Sequence, residues 1–158
     1  MQQKIVPNLW FDTESEEAAA FYTSIFPSSR VLSVTRYGEH GPREAGLVMT
    51  VEFELDGQRF MAINGGPEFT FNEALSLEIR CSSQDEIDRY WDRLTADGGE
   101  PGPCGWLKDR FGVSWQVTHE AIEDMLGEAD QTKVDRVMAA ILQMGKLYIA
   151  EIERAAAG

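Results

Sequence analysis

A chain of 158 residues, 43% hydrophobic and 26% charged, has the size and composition of one soluble globular domain or of two small halves. Its net charge of −13 argues against a nucleic-acid partner, which requires clustered Lys and Arg. No apolar run approaches the roughly 18 residues a transmembrane helix needs, so no membrane partner is expected. Met1 to Pro7 lacks the apolar stretch and cleavage site of a signal peptide, and the expected compartment is cytoplasmic.

In chain order, Ile5 to Phe11 reads as a short apolar strand. Asp12 to Glu17 opens a helix, with Thr13 or Ser15 as the cap and acidic residues in the first turn. Ala18, Phe21, Tyr22, Ile25 and Phe26 continue it at helical spacing until Pro27. Val31 to Tyr37 and Leu47 to Leu55 alternate as strands, Asp56-Gly57 signals a hairpin, and Phe60 to Asn64 returns. Gly65-Gly66-Pro67 breaks the pattern. Leu75, Leu77 and Ile79 then alternate, Ser82 to Glu86 caps a second helix, and Ile87, Tyr90, Trp91 and Leu94 form its apolar stripe. Asp97-Gly98-Gly99 ends it.

A shift of 68 residues places Leu9 on Leu77, Phe11 on Ile79, Ser15 on Ser83, Tyr22 on Tyr90 and Phe26 on Leu94. The identities are weak, but the order of elements repeats, and two βαβββ modules are expected. The fold class is α+β: module one over about 4–64, module two over about 73–119, and one long helix over about 130–157, within a single domain of 158 residues. That last helix carries a wide stripe including Val134, Val137, Ile141, Leu147 and Ile152, which must be buried.

The richest stretch is Cys104 to Val117. It reads as a hairpin turning at Asp109 to Gly112, with two indoles, a thiol, an Asp109–Arg110 pair and an amide in close succession. Apolar walls with few polar groups are what concave ligand sites share, and equally what a packed core hairpin contains. Phe69, Phe71, Trp106 and Trp115 are candidate walls, and Asn64, Asn72, Cys104, Arg110 and Gln116 candidate polar contacts. Glu73, placed among aromatics, is the acid/base candidate through a raised pKa. Against these stand plain alternatives: core packing for the aromatics, a turn salt bridge for Asp109 and Arg110, and a turn device for Asn64-Gly65-Gly66. Cys81 and Cys104 lie 23 residues apart with no CxxC motif, which is neither a metal signature nor, in the cytoplasm, an expected disulfide.

The stretches Phe11-Asp12 with Ala20-Phe21-Tyr22, Asn64-Gly65-Gly66-Pro67, Phe69 to Ala74, Trp91-Asp92-Arg93-Leu94 with Gly98-Gly99, and Cys104 to Gln116 together resemble the vicinal oxygen chelate superfamily, the glyoxalase/bleomycin-resistance fold. The closer likeness is to its PhnB-like branch, labelled 3-demethylubiquinone-9 3-methyltransferase. The tail from Asp130 to Lys146 resembles that branch too. The resemblance implies paired βαβββ modules and a homodimer. It also implies four metal-ligand positions, which here fall on Gln116 (four after Gly112), Met61, Ser76 and Ile5. Ile and Met are poor ligands for a hard divalent ion and Ser a weak one, so no catalytic metal and no cofactor are expected. A methyltransferase of the usual S-adenosylmethionine type needs a glycine-rich loop leading into a helix, and Asn64-Gly65-Gly66-Pro67 precedes a linker. The expected function is binding of an unidentified small molecule. The alternatives are a superfamily lyase, isomerase, dioxygenase or methyltransferase with an atypical site, and an interaction module built on the tail.

Overall fold

The computed structural model describes residues 3–158, so the reading of Met1 and Gln2 lies outside the described residues. The chain divides into two compact units, Met1–Phe71 and Asn72–Gly158.

In the first unit, β1 (Asn8–Phe11), α1 (Ser15–Ile25), β2 (Arg30–Arg36), β3 (Val48–Leu55) and β4 (Gln58–Asn64) follow in turn. They make a four-stranded sheet ordered β1-β4-β3-β2, with β1 parallel to β4 and the remaining pairs antiparallel. Alternation along β3 buries Val51, Phe53 and Leu55 on one face, where Phe53 stacks on Phe60 at 5.4 Å and on Tyr22 of α1 at 6.1 Å. Each such large side chain, fully buried, contributes roughly 1.5–3 kcal/mol. Asp56 and Gly57 both take positive φ, 45° and 84°, the geometry of the type I′ turn that suits a two-residue hairpin.

The second unit repeats this order. β5 (Leu77–Cys81), α2 (Gln84–Thr95), β6 (Glu100–Pro101), β7 (Trp106–Lys108) and β8 (Ser114–His119) form a sheet ordered β5-β8-β7-β6, again with one parallel pair, β5 with β8. The topologies match strand for strand, and Tyr22 and Tyr90 are both buried on their helices. Three helices follow, α3 (Glu120–Leu126), α4 (Gln131–Ile141) and α5 (Ile149–Ala157). Among the described residues no helix is long and apolar enough to cross a membrane.

Two expectations are corrected. The cap of α1 is not Thr13 or Ser15: the N-cap is Glu14, which makes no side-chain cap bond, and the Ser15 N–H donates instead to Asn64 Oδ1 at 2.9 Å. The tail is not one helix over 130–157, because the chain leaves helical form after Leu142 and restarts at Ile149. Competing bonds explain the break. Met144 O and Gly145 O accept from the N–H groups of Cys104 and Gly105, both at 2.7 Å. Gln84 of α2 donates to Leu147 O and accepts from Ile149 N. The helical stripe is then buried by folding α5 back, so that Arg136 on α4 reaches the terminal carbonyls of Ala155 and Ala156. Ile122, Val137, Ile141, Leu147 and Ile152 share one apolar cluster.

Lys146 fastens this strap, at 3.2 Å from Asp88 and 3.0 Å from Asp92 on α2. Burial of the ammonium opposes its charge, but the Asp92 and Asp88 hydrogen bonds outweigh it and raise its pKa. The Gln84 hydrogen bond, joined by Lys146, holds the Asp88 carboxyl below its ordinary range. A raised lysine stabilises fully below its unfolded pKa and loses that only as pH rises through the folded one. A lowered aspartate stabilises fully above its unfolded pKa and loses that as pH falls through the folded one. Both contributions are therefore intact at neutral pH. The carboxylates are exposed and screened, so Lys146→Met is expected to cost only about 1 kcal/mol. Thermal melts should show the same deficit at pH 6 and pH 8 and a smaller one in acid.

Both cysteines are free thiols. Burial pushes the Cys81 thiol up to about 12, which keeps it protonated and unreactive.

Candidate functional site

The β7–β8 hairpin is organised by a buried carboxylate. Asp109 is 2% exposed, and its Oδ1 accepts from the N–H of Phe111 at 2.9 Å and of Val113 at 3.1 Å, while Oδ2 accepts from Trp115 Nε1 at 2.8 Å. The main chain closes the turn through Asp109 N to Val113 O and Gly112 N to Asp109 O, with Gly112 at φ 85°. The sequence needs a short acceptor at 109 and a glycine at 112 for this geometry.

With the turn fixed, side chains alternate across the sheet. Leu107, Trp115 and Val117 are buried on the face that packs under α2. Trp106, Lys108, Ser114, Gln116 and Thr118 take the opposite face, and the register sets Trp106 beside Gln116 and Lys108 beside Ser114. Gln116 Nε2 donates to Ser76 Oγ at 2.8 Å, and Thr118 Oγ1 donates to Glu78 at 2.9 Å. Two clefts open along this face. One, of about 190 Å³, is walled by Glu73, Pro101, Pro103, Trp106, Lys108 and Ser114. The other, of about 210 Å³, lies between Glu78, Gln116 and Thr118 on the strands and Ile122, Met138 and Ile141 on the C-terminal helices.

The candidates fare unequally. Trp106 and Gln116 are half-buried on the cleft-bearing face, and Cys104 lines the second cleft. Asn72 makes an Asx turn to Ala74 N and accepts from Ser114 through its carbonyl. Arg110 lies at the hairpin turn with its guanidinium 4.9 Å from the Phe111 ring centre. Trp115, at 3% exposure and bonded to Asp109, is core rather than wall. Phe69 and Phe71 belong to the first unit, packed edge-on against Trp10 at 5.1 Å and Phe11 at 5.2 Å. Asn64, also in the first unit, is 1% exposed and spends its amide within the fold, on Ser15 N and Val48 O.

Glu73 is corrected in its chemistry. It is exposed and 2.5 Å from Lys108, whose hydrogen bond holds its carboxyl below the ordinary range rather than raising it. Hydrogen bonding to Glu73 raises Lys108 in turn. The two form a charged clamp that stays ionised through the neutral range, not an acid/base pair. Lys108 was missed by sequence reasoning, although its place two residues after Trp106 in a strand puts it on the same face.

The family model described as 3-demethylubiquinone-9 3-methyltransferase matches residues 3–118. The chain belongs to this family. A solved structure of the PhnB protein of Bacillus cereus, described in the same terms, is 40% identical over 74% of this chain and 99% of its own, with a TM-score of 0.66. Protein PA1353 of Pseudomonas aeruginosa is 23% identical over 75% of this chain and 98% of its own, at a TM-score of 0.61. The fosfomycin resistance protein FosX of Listeria monocytogenes, complexed with Mn(II) and sulfate, is 17% identical over 80% of this chain and 98% of its own, at 0.54. These likenesses place the family fold within the vicinal oxygen chelate superfamily. No curated protein matches the chain. Residues 119–158, which hold α3 to α5, lie beyond the stretch the family model matches.

Proposed function

We propose that the protein binds a small molecule on the second sheet's face bearing Trp106, Lys108, Ser114 and Gln116, and works as a cytoplasmic homodimer without a resident metal. The observation that carries this reading is the convergence of an indole, an ion pair and an amide on one open face with a cleft at either end. An apolar wall with a few placed polar groups is the common form of a ligand site. Exposed Leu75, Leu142 and Tyr148 supply apolar surface that a second copy would cover.

A divalent metal of the superfamily kind does not fit the donors present. Ile5 and Met61 offer no hard oxygen or nitrogen, which leaves only the Gln116 carbonyl oxygen and the weak Ser76 hydroxyl of the four positions. Among the described residues no three His, Cys, Asp or Glu side chains gather where they would hold an ion. S-adenosylmethionine, which the family description suggests, meets an equal misfit. The Asn64-Gly65-Gly66 stretch leads into no helix, and a Cβ at Gly65 would stand 2.2 Å from the Trp10 ring, so that glycine serves packing. The name of the family is thus no warrant for methyl transfer here.

Native mass spectrometry of the protein as purified tests the whole reading. The expected result is a dimer carrying a small organic molecule that denaturation releases and that Trp106→Ala no longer retains. One metal ion per subunit, or a Trp106→Ala protein that keeps the molecule, would overturn it.

A further inference from the structure

The second cleft differs from the rest of the sheet face because half its wall comes from outside the family-matched stretch. Ile122 and Leu126 of α3, Met138 and Ile141 of α4, and Leu147 of the strap give it an apolar side. The strands give it an acceptor-rich side. Glu78 stands on β5, and Glu123 on α3 faces it through Arg80, which is 3.3 Å from Glu78 and 2.6 Å from Glu123. Two carboxylates thus share one guanidinium, which leaves an excess negative charge at the rim. No lysine or arginine lines the cleft. Gln116 bonds Ser76 through one hydrogen of its amide nitrogen, and its carbonyl oxygen adds an acceptor to this side. His119 Nδ1 accepts from Ala121 N, which places the ring hydrogen on Nε2 as a donor.

We propose that this cleft is the specificity element for the bound molecule, and that it takes a small primary amine with an apolar body. The body would lie against Met138, Ile141 and Leu147, and the ammonium at the Glu78–Gln116 side. A space of about 210 Å³ is below the roughly 300–1,000 Å³ of drug-sized sites, so the body is short, on the order of five to eight carbons. A carboxylate ligand of the same length would meet the excess negative charge and be rejected, since like charges brought together disfavour the wrong ligand. The chain's net charge of −13 adds long-range attraction for a cation. This rests on the reading of the sheet face as the ligand surface, but uses residues that reading does not require.

The test is methyl NMR on full-length protein labelled at Ile and Met, titrated with hexylamine, hexanol and hexanoate. Hexylamine is expected to shift the Ile122, Ile141 and Met138 methyls along a saturable curve, at least tenfold tighter than hexanoate and tighter than hexanol. Ile141→Trp, which fills the cleft, should abolish those shifts. Met138→Trp at the half-open rim does the same job should the first variant fail to fold. Glu78→Gln should narrow the hexylamine preference over hexanol. Absence of saturable shifts, shifts that persist when the cleft is filled, or equal affinity for hexanoate would overturn the proposal. Loss of the retained molecule in Trp106→Ala with no hexylamine binding would sink this inference alone and leave the broader reading standing.

Discussion

Replacing Asp109 with alanine is expected to destabilise the protein by about 3–5 kcal/mol. Three N–H groups converge on this carboxylate at 2% exposure, two from the main chain and one from the Trp115 indole. Bonds to a charged acceptor are worth more than neutral ones, and alanine takes this acceptor away from the buried Val113 N–H and Trp115 indole and from the half-buried Phe111 N–H. Asp109→Asn keeps the shape and one oxygen for the main-chain N–H groups but turns an NH₂ toward the indole N–H, donor against donor. Its loss should be smaller, about 1–3 kcal/mol. Urea unfolding followed by circular dichroism ranks the three proteins. A loss below 1 kcal/mol for Asp109→Ala would mean that the turn is held by its main-chain bonds alone. The prediction reaches function as well, because this turn sets the register that places Trp106 beside Gln116 and Lys108 beside Ser114.

Much of the fold was legible because its signals are local. Strand alternation in β3, the Asp56-Gly57 turn and the Ser83 cap of α2 each follow from neighbours in sequence, and the repeated element order followed from them. What sequence reading missed depends on distant partners. No local feature announces that Ser15 N is satisfied by Asn64, 49 residues away. The break at 143–148 had one local sign, Gly145 within an apolar stripe. Its cause is tertiary, in the bonds that Cys104, Gly105 and Gln84 make to this segment. The site was half legible for the same reason. The hairpin residues were found, and alternation separates Trp106 from Trp115, but which of the two faces lies under α2 depends on the helix. Glu73 was misjudged because its apolar sequence neighbours, Phe69 and Phe71, pack on β1, whereas the residue that sets its charge is Lys108.

Asn64→Asp is expected to cost about 3 kcal/mol, and it separates a structural role from a ligand-binding one. In the fold the side chain does two opposite things at 1% exposure: Oδ1 accepts from Ser15 N at 2.9 Å, and Nδ2 donates to Val48 O at 3.0 Å. Its own carbonyl accepts from the Tyr37 hydroxyl at 2.8 Å, so the residue ties α1, β3 and the segment after β2 to the end of β4. Aspartate retains the acceptor and replaces the donor with a second oxygen set against the Val48 carbonyl. It also introduces a charge whose neighbouring cation, Arg43, is already paired with Asp12 at 2.8 Å, so its desolvation is poorly offset. The carboxyl therefore favours its neutral form, whose O–H restores the lost donor. The introduced group's pKa is raised in the folded state, so the deficit should shrink as pH falls toward 4, where unfolded aspartate also begins to protonate. A polar contact to a ligand makes the opposite forecast: unchanged melting temperature, lost small-molecule retention and no acid rescue. Melts at pH 7 and pH 4, alongside the retained-ligand signal, decide between them. The structure favours the first outcome, because both ends of the amide are already bonded within the fold.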